Sequence, residues 1–374
     1  MKNNLITPLS KLTIVIPTYN RTDYVLRNMG LLSGTGVEVH VLDGSTEAIK
    51  SDKLDRFAPN IHYHHLPISF WQRLAKAADY VDTEYVVLLG DDDFFILSAL
   101  AACIIQLDNK QELVACYGVG INKCLTSDLI VSCSTISGNQ TNYVSASCGE
   151  VTQESPLKRM VHHMNPYNPN IIYSVCRSQA WLKTTQLFNS RQYSSQLTAE
   201  LQFELCMSFH GKVKVIDKLM ILRSAENPSC VEGFDLEFDD WYLSQQYRDE
   251  VDDFLNISAH DLADISNLEF EVIRQGLELA CSAYIKFCDN NNKRSCQSFQ
   301  EKIFSDSDLL RDLKTRIKKF ISIFPSSLLS MLPERLCFRP YVDIAKKLEL
   351  LGLHVDWDQL NVILKEVKKS NDRI

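Results

Sequence analysis

The sequence lacks the cysteine spacing of a zinc site or a disulfide framework. It has 12 cysteines among 374 residues, and no two of them form a CxxC pair. Scattered cysteines are typical of reduced side chains that pack as small hydrophobes. The first ten residues also lack the apolar core of a signal peptide, so we expect a cytoplasmic chain that is not exported.

Two further absences narrow the class of protein. No apolar run is long enough to span a bilayer. The formal net charge is −8 at pH 7, without the basic excess that general nucleic-acid binding uses, so we expect no nucleic-acid partner. With 45% hydrophobic and 23% charged residues, the composition is that of a globular protein with room for two domains.

An apolar segment that leads into three carboxylates is the most informative part of the sequence. Residues 85–89 are β-branched, aromatic or aliphatic, which predicts a strand buried on both faces of a parallel sheet. Asp91, Asp92 and Asp93 follow almost at once. Adjacent carboxylates repel each other unless a positive group lies between them, and Mg²⁺ or Mn²⁺ suits such oxygen ligands. The alternative is an acidic turn that caps the next helix.

The first part of the chain predicts a parallel βαβ unit. Residues 12–17 and 37–42 are strand-like, and residues 24–32 between them have helical spacing. Residues 18–21 form the turn after the first strand, and Asp43 ends the second. Open α/β sheets bind ligands at the carboxyl ends of their strands. We therefore expect this turn, Asp43 and the acidic triplet at one edge of the sheet.

Three segments in this order resemble the family 2 glycosyltransferases of the GT-A fold. They are Leu-Thr-Ile-Val-Ile-Pro-Thr-Tyr-Asn-Arg at 12–21, Asp-Gly-Ser at 43–45 and Glu-Tyr-Val-Val-Leu-Leu-Gly-Asp-Asp-Asp at 84–93. The resemblance covers residues 12–224 and implies an α/β fold class, a GT-A mixed sheet flanked by helices. We expect that domain at 1–233 and a mostly helical region of unknown role at 234–374.

The resemblance also implies which residues bind the nucleotide-diphosphate sugar. The first turn lies near the nucleotide, Asp43 accepts a hydrogen bond from its base, and arginines face the phosphates. Asp91 and Asp93 resemble the DxD motif and are the implied ligands of Mn or Mg. Asp43 is otherwise a turn former, and the alternative for Arg73 and Lys76 is a solvated helix face. The implied donor-binding residues are Pro17, Thr18, Tyr19, Asn20, Arg21, Asp43, Arg73, Asp91, Asp92 and Arg223.

The general base is implied at the start of a later helix. Leucine and phenylalanine recur at helical spacing over residues 197–209. In the family an acid at the start of this helix takes the proton of the acceptor hydroxyl, and Glu200 matches that position. Glu204, one turn along, is the alternative base or a helix-surface acid. The polar and aromatic residues at 162–168 suit either sugar contact or an ordinary Pro-rich surface loop.

The composition changes after residue 234. Residues 309–324 predict an amphipathic helix with one basic side, so the 309–339 region suits peripheral contact with the inner face of a membrane; packing on its own domain is the alternative. The family takes glycan, lipid-linked or protein acceptors, often in surface glycan or polysaccharide synthesis. The sequence does not predict the oligomeric state.

The predicted function is transfer of a sugar to a hydroxyl with inversion, and three alternatives stay open. One is a catalytically inactive carbohydrate-binding or scaffold protein on the same fold. A sugar nucleotidyltransferase normally has a Gly-rich phosphate loop after its first strand, where this chain has Pro17-Thr-Tyr-Asn. A phosphatase-type Asp-x-Asp site needs its acids after the first strand, and here they come later.

Overall fold

The structure is a computed structural model. It describes residues 8–124, 130–132, 149–225, 236–305, 342, 345–346, 348–350 and 352–371. The predicted membrane-contact region at 309–339 lies outside these residues.

Nine strands of the described part form one mixed sheet. Its order is β3-β2-β1-β4-β8-β6-β9-β5, with β7 paired to β6. β1 to β4 run parallel, and β8 is antiparallel to both β4 and β6. The strands are β1 (Leu12–Thr18), β2 (Glu38–Asp43), β3 (Ile61–His65), β4 (Tyr85–Leu88), β5 (Phe94–Phe95), β6 (Leu113–Cys124), β7 (Ile130–Ser132), β8 (Val175–Arg177) and β9 (Lys212–Ala225).

The register of the central strands brings their carboxyl ends together. Every residue of β1 and of β4 is buried, which explains their nearly continuous apolar sequence. Thr18 at the end of β1 pairs with Asp43 at the end of β2, and Val15 pairs with Leu88 of β4. The predicted meeting of the first turn, Asp43 and the acidic triplet at one edge is therefore confirmed.

Helices cover the sheet and form most of the C-terminal region. The Ser69 side chain accepts from the Gln72 amide and closes a capping box at the start of α3. The helices are α1 (Thr22–Leu32), α2 (Ser51–Leu54), α3 (Phe70–Lys76), α4 (Leu97–Asn109), α5 (Pro156–His163), α6 (Ser178–Gln186), α7 (Leu197–His210), α8 (Phe238–Leu243), α9 (Arg248–Ala263), α10 (Phe270–Ser305) and α11 (Trp357–Asn371).

The C-terminal helices share hydrophobic cores with the sheet domain. Helices α8, α9 and α10 pack on α5 and α7 through one buried cluster, and α11 contributes to the cluster that contains β1 and α1. The division at 233/234 stays a prediction, and the described residues on its two sides are packed together. No helix among the described residues has the length and apolarity to cross a membrane. The expected α/β fold class is confirmed: a mixed sheet flanked by helices, with a C-terminal region whose described residues are mostly helical.

Candidate active site

The acidic turn after β4 is buried and its backbone is fixed by α1. Asp91 and Asp93 are only 2% and 4% exposed. Asn28, itself buried on α1, donates from Nδ2 to the carbonyl oxygens of Asp91 at 2.8 Å and Asp93 at 3.0 Å. A buried amide without partners is costly, so these bonds explain why a polar residue occupies the inner face of α1.

Arg21 neutralises two of the three acids. Its Nη1 lies 3.0 Å from Asp91 Oδ1, and its Nη2 lies 2.7 Å from Asp92 Oδ2. Thr18 Oγ1 donates to the other oxygen of Asp91 at 2.8 Å. Burial raises the pKa of Asp91 to about 6, although the Arg21 charge and the Thr18 bond lower it. The first turn and the acidic turn are thus directly connected, as the sequence predicts for one site.

Arg223 reaches the third acid from β9. Its Nε is 3.5 Å from Asp93 Oδ2, and its Nη2 donates to Tyr173 Oη at 3.1 Å. The guanidinium carbon also lies 4.4 Å from the centroid of the Tyr173 ring. Burial lowers the pKa of Arg223, but Tyr173 and Asp93 raise it by more. Arg223 is therefore held as a cation beside the acidic turn.

The carboxylate oxygens of the acidic turn are ligands of the kind that a divalent cation prefers. Two carboxylates, completed by water and substrate phosphates, are a usual ligand set for Mg²⁺. Within the described residues no three His, Cys, Asp or Glu side chains come together for a cation. Both oxygens of Asp91 already accept from Thr18 and Arg21. A cation on Asp91 and Asp93 would therefore share the Asp91 carboxylate with Thr18 and Arg21, since each carboxylate oxygen has two acceptor sites.

Asp43 is buried at the end of β2 with both oxygens engaged. The Ser45 amide donates to Oδ1 at 2.8 Å, and Tyr63 Oη donates to Oδ2 at 2.6 Å. These bonds agree with the turn-former interpretation of Asp43, and its contact with a nucleotide base stays a prediction. The neighbouring first turn is tied to this one, since the Asn20 amide donates to Ser45 Oγ at 2.8 Å. Asn20 has a φ of 55°, in the left-handed region that Asn tolerates.

Arg73 points into the site rather than into solvent. It is 3% exposed and lies directly on Gly44, where a Cβ atom would come within 1.2 Å of Arg73 Nη1. The solvated-face alternative is therefore wrong for Arg73. The solvated-face alternative fits Lys76, because its Nζ pairs with Asp79 at 3.3 Å and both side chains are exposed. Glycine at position 44 is required by the close approach of the guanidinium.

A cavity of about 300 Å³ opens beside Tyr19 and Arg73. Its walls come from the first turn, from α3, from residues 188–196 and from the start of α7. Aromatic rings and the guanidinium groups of Arg73 and Arg191 line it, a combination suited to ring stacking and anion binding. Lining residues are Tyr19, Trp71, Arg73, Tyr193 and Ala199. Tyr19 is 40% exposed, and its contact with a nucleotide, like that of Pro17, stays a prediction.

Glu200 lies in the first turn of α7, next to the cavity residue Ala199. Tyr167 Oη donates to its Oε1 at 2.8 Å. Burial raises the pKa of Glu200 to about 7; the Tyr167 bond lowers it, nearby Glu204 raises it and Arg223 lowers it. A carboxylate with a pKa near neutrality is suited to general base catalysis at physiological pH.

Glu204 has a different environment. It is fully buried, with its Oε2 at 2.6 Å from His163 Nε2 and its Oε1 accepting from the Ile172 amide at 2.9 Å. The interpretation of Glu204 as a helix-surface acid is therefore wrong. Its two oxygens connect α7 to α5 and to the segment before β8.

The comparisons with known proteins give structural neighbours only. No family model and no curated protein matches the chain. The solved structure of S. aureus TarS 1–349 is similar at a TM-score of 0.45 and 16% identity, over 75% of this chain and 73% of that one. Its complex with UDP-GlcNAc has a TM-score of 0.44 and 14% identity, over 96% and 91%. The complex with UDP has a TM-score of 0.42 at the same identity and coverage.

Proposed function

We propose that this chain is a glycosyltransferase that moves a sugar from a nucleotide-diphosphate donor to an acceptor hydroxyl. One observation carries the proposal. Arg223 links the two halves of the site, because it contacts Asp93 at 3.5 Å and its charge lowers the pKa of Glu200. An acid suited to proton removal thus lies near a cation that also contacts the acidic turn.

The donor diphosphate is the group that the cations would bind. Arg21, Arg73 and Arg223 approach the carboxyl ends of β1, β2 and β4 from three different elements. Planar guanidinium groups bind phosphate oxygens in pairs and stabilise the charge that develops on a leaving diphosphate. Asp91 and Asp93 would hold Mn²⁺ or Mg²⁺, which neutralises that leaving group when bound.

Glu200 acts as the general base in this proposal. It accepts the proton of the acceptor hydroxyl as that oxygen attacks the anomeric carbon, and the bond to the diphosphate breaks in the same step. A single displacement of this kind inverts the anomeric configuration. A positioned base typically contributes about 10²–10⁴-fold to the rate. Inversion, metal dependence and membership of family 2 are parts of the proposal.

A catalytically inactive carbohydrate-binding protein is the second candidate. The pairing of Arg21 with both Asp91 and Asp92 favours it, because these acids are neutralised within the chain. A site of this kind needs no cation to be stable. Turnover separates the two candidates: a transferase releases nucleotide diphosphate and loses this activity in Glu200→Gln, whereas a binding protein releases none with either residue at position 200.

Several finer parts of the function stay predictions. The acceptor is a glycan, a lipid-linked saccharide or a protein, and surface glycan synthesis is the expected cellular role. The cytoplasmic location and the membrane contact through residues 309–339 also stay predictions.

A panel of nucleotide sugars tests the proposal. The protein is incubated with each donor, with Mn²⁺ and with simple saccharide acceptors, and the released nucleotide diphosphate is measured. We expect release from one donor, lost with EDTA and in Asp93→Asn. Arg73→Ala should raise the KM for that donor, and Lys76→Ala, on the exposed side of the same helix, should not. No release from any donor, without a thermal shift from any nucleotide diphosphate, would favour the binding protein.

A further inference from the structure

A tyrosine outside the predicted site controls the environment of Glu200. Tyr167 follows α5, and its phenol donates to Glu200 Oε1 at 2.8 Å. Its ring is held on two sides: the Tyr284 ring of α10 meets it edge-on at 5.0 Å between centroids, and the His163 ring lies at 6.0 Å. His163 is itself fixed by its 2.6 Å contact with Glu204. The phenol therefore has a defined position.

We propose that Tyr167 is a positioning residue for the general base, and that α10 supports it through Tyr284. The hydrogen bond orients the Glu200 carboxylate and favours its ionised form. This inference rests on the proposed glycosyltransferase function. It also gives the helical C-terminal region a role, because a residue of α10 then stabilises the geometry of the base.

Tyr167 is suited to this role because it remains a donor over the working pH range. Burial raises the pKa of Tyr167 well above its usual value, and the charges of Glu200 and Glu204 raise it further. The phenol is therefore protonated wherever the carboxylate is ionised. A hydrogen bond from a neutral donor to a carboxylate is stronger than one to the neutral acid, so it lowers the pKa of that acid.

The groups around Glu200 shift its pKa in both directions. Burial and the charge of Glu204 raise the pKa of Glu200, and Tyr167 and Arg223 lower it. The phenols of Tyr173 and Tyr284 are also close enough to interact with its charge. Arg223 is shared with Asp93, whereas the Tyr167 bond is directed at Glu200 itself. Loss of the Tyr167 hydroxyl should thus leave the half-buried Glu200 carboxylate less easily ionised.

The test is the pH profile of kcat in Tyr167→Phe, which removes one hydroxyl and keeps the ring. Because only the ionised base accepts a proton, the acid limb of the profile follows the pKa of Glu200. We expect that limb to move about one pH unit higher, with the donor KM nearly unchanged. The matched control is Tyr242→Phe, the same change at a half-buried tyrosine of α8, which should keep the wild-type profile. Tyr284→Leu should move the acid limb in the same direction as Tyr167→Phe.

A second variant strengthens the same bond. Tyr167→3-fluorotyrosine keeps the ring and makes the phenol a stronger donor, so the acid limb should move to lower pH. Both variants are measured, and the fluorotyrosine variant still tests the positioning role if Tyr167→Phe does not fold. A purely structural role for Tyr167 would lower kcat equally at every pH and would leave the limb in place.

The outcomes separate the two proposals. An active wild-type protein with an unmoved acid limb in folded Tyr167→Phe, or in the fluorotyrosine variant, overturns the positioning role and leaves the glycosyltransferase proposal standing. A wild-type protein that transfers no sugar from any donor overturns the proposed function, and the positioning role with it. A shift of the acid limb to higher pH in Tyr167→Phe and to lower pH in the fluorotyrosine variant supports both the positioning role and the glycosyltransferase function.

Discussion

Replacement of Glu200 by glutamine should make the protein more stable and less active. In the folded chain, burial raises the pKa of Glu200 from 4.5 to about 7. The folded state then binds more protons than the unfolded state between these two values, so stability falls as the pH rises through this window. A rise of this size corresponds to about 3 kcal/mol, lost in full above pH 7.

Glu200→Gln removes this penalty because the amide does not ionise. Its oxygen can still accept the hydrogen bond from Tyr167. We expect the free energy of unfolding to increase by up to about 3 kcal/mol at pH 8 and by less than about 1 kcal/mol at pH 5. The transfer rate should fall about 10²–10⁴-fold. A gain of stability that accompanies a loss of activity is typical of a site under functional constraint.

Urea unfolding of wild type and variant at pH 5 and pH 8 measures the difference. The matched control is Glu204→Gln, the same change one turn along the same helix. It replaces the fully buried carboxylate that contacts His163 and the Ile172 amide by a weaker acceptor and should destabilise the protein by about 1–3 kcal/mol. If Glu200→Gln is less stable than wild type at pH 8, the carboxylate is favourably held and the reasoning about its raised pKa is refuted.

Three further changes test the rest of the site. Asn28→Ala removes the amide that holds the acidic turn and should lower the free energy of unfolding by about 1–3 kcal/mol in urea; wild-type stability would contradict this. Gly44→Ala places a Cβ on the guanidinium of Arg73 and should raise the donor KM at least about tenfold while the circular dichroism spectrum is kept; an unchanged KM would mean that Arg73 does not bind the donor. Arg223→Lys loses the planar contacts to Asp93 and Tyr173 and should lower kcat/KM about tenfold or more, measured as diphosphate release, whereas full activity would show that a point charge is sufficient.

The location of the site followed from local sequence, because strand direction decides it. Buried apolar segments predicted β1, β2 and β4, and parallel pairing places the residues after them at one edge. Glu200, at the start of α7, was implied as the base by the family resemblance. These features depend on residues close together in the chain, or on a rule that holds for parallel sheets in general.

Contacts between distant segments could not be predicted in this way. Tyr167 lies 33 residues from Glu200, and Arg21 lies 71 residues from Asp92. No local pattern distinguishes a tyrosine that reaches a carboxylate from one in a surface loop. The burial of Arg73 could not be predicted from the sequence for the same reason. Only the path of the chain at Gly44 shows that its guanidinium is buried.

The position of the C-terminal helices also needed the structure. Their apolar spacing predicts helices, and it does not tell which surface they cover. In the structure α8, α9 and α10 share buried side chains with α5 and α7, the helices on either side of the Glu204–His163 contact. The connection from α10 to the proposed base through Tyr284 and Tyr167 arises from this packing.

Calorimetric titration with the nucleotide diphosphate of the active donor, in Mn²⁺, tests the division of roles most directly. Wild type, Asp93→Asn and Glu200→Gln are compared under the same conditions. The account predicts that Glu200→Gln binds the nucleotide as tightly as wild type although its transfer rate is about 10²–10⁴-fold lower. It predicts that Asp93→Asn binds the nucleotide at least about tenfold more weakly. Equal loss of binding in both variants, or unchanged binding in Asp93→Asn, would contradict the assignment of the acidic turn to the diphosphate and of Glu200 to the acceptor.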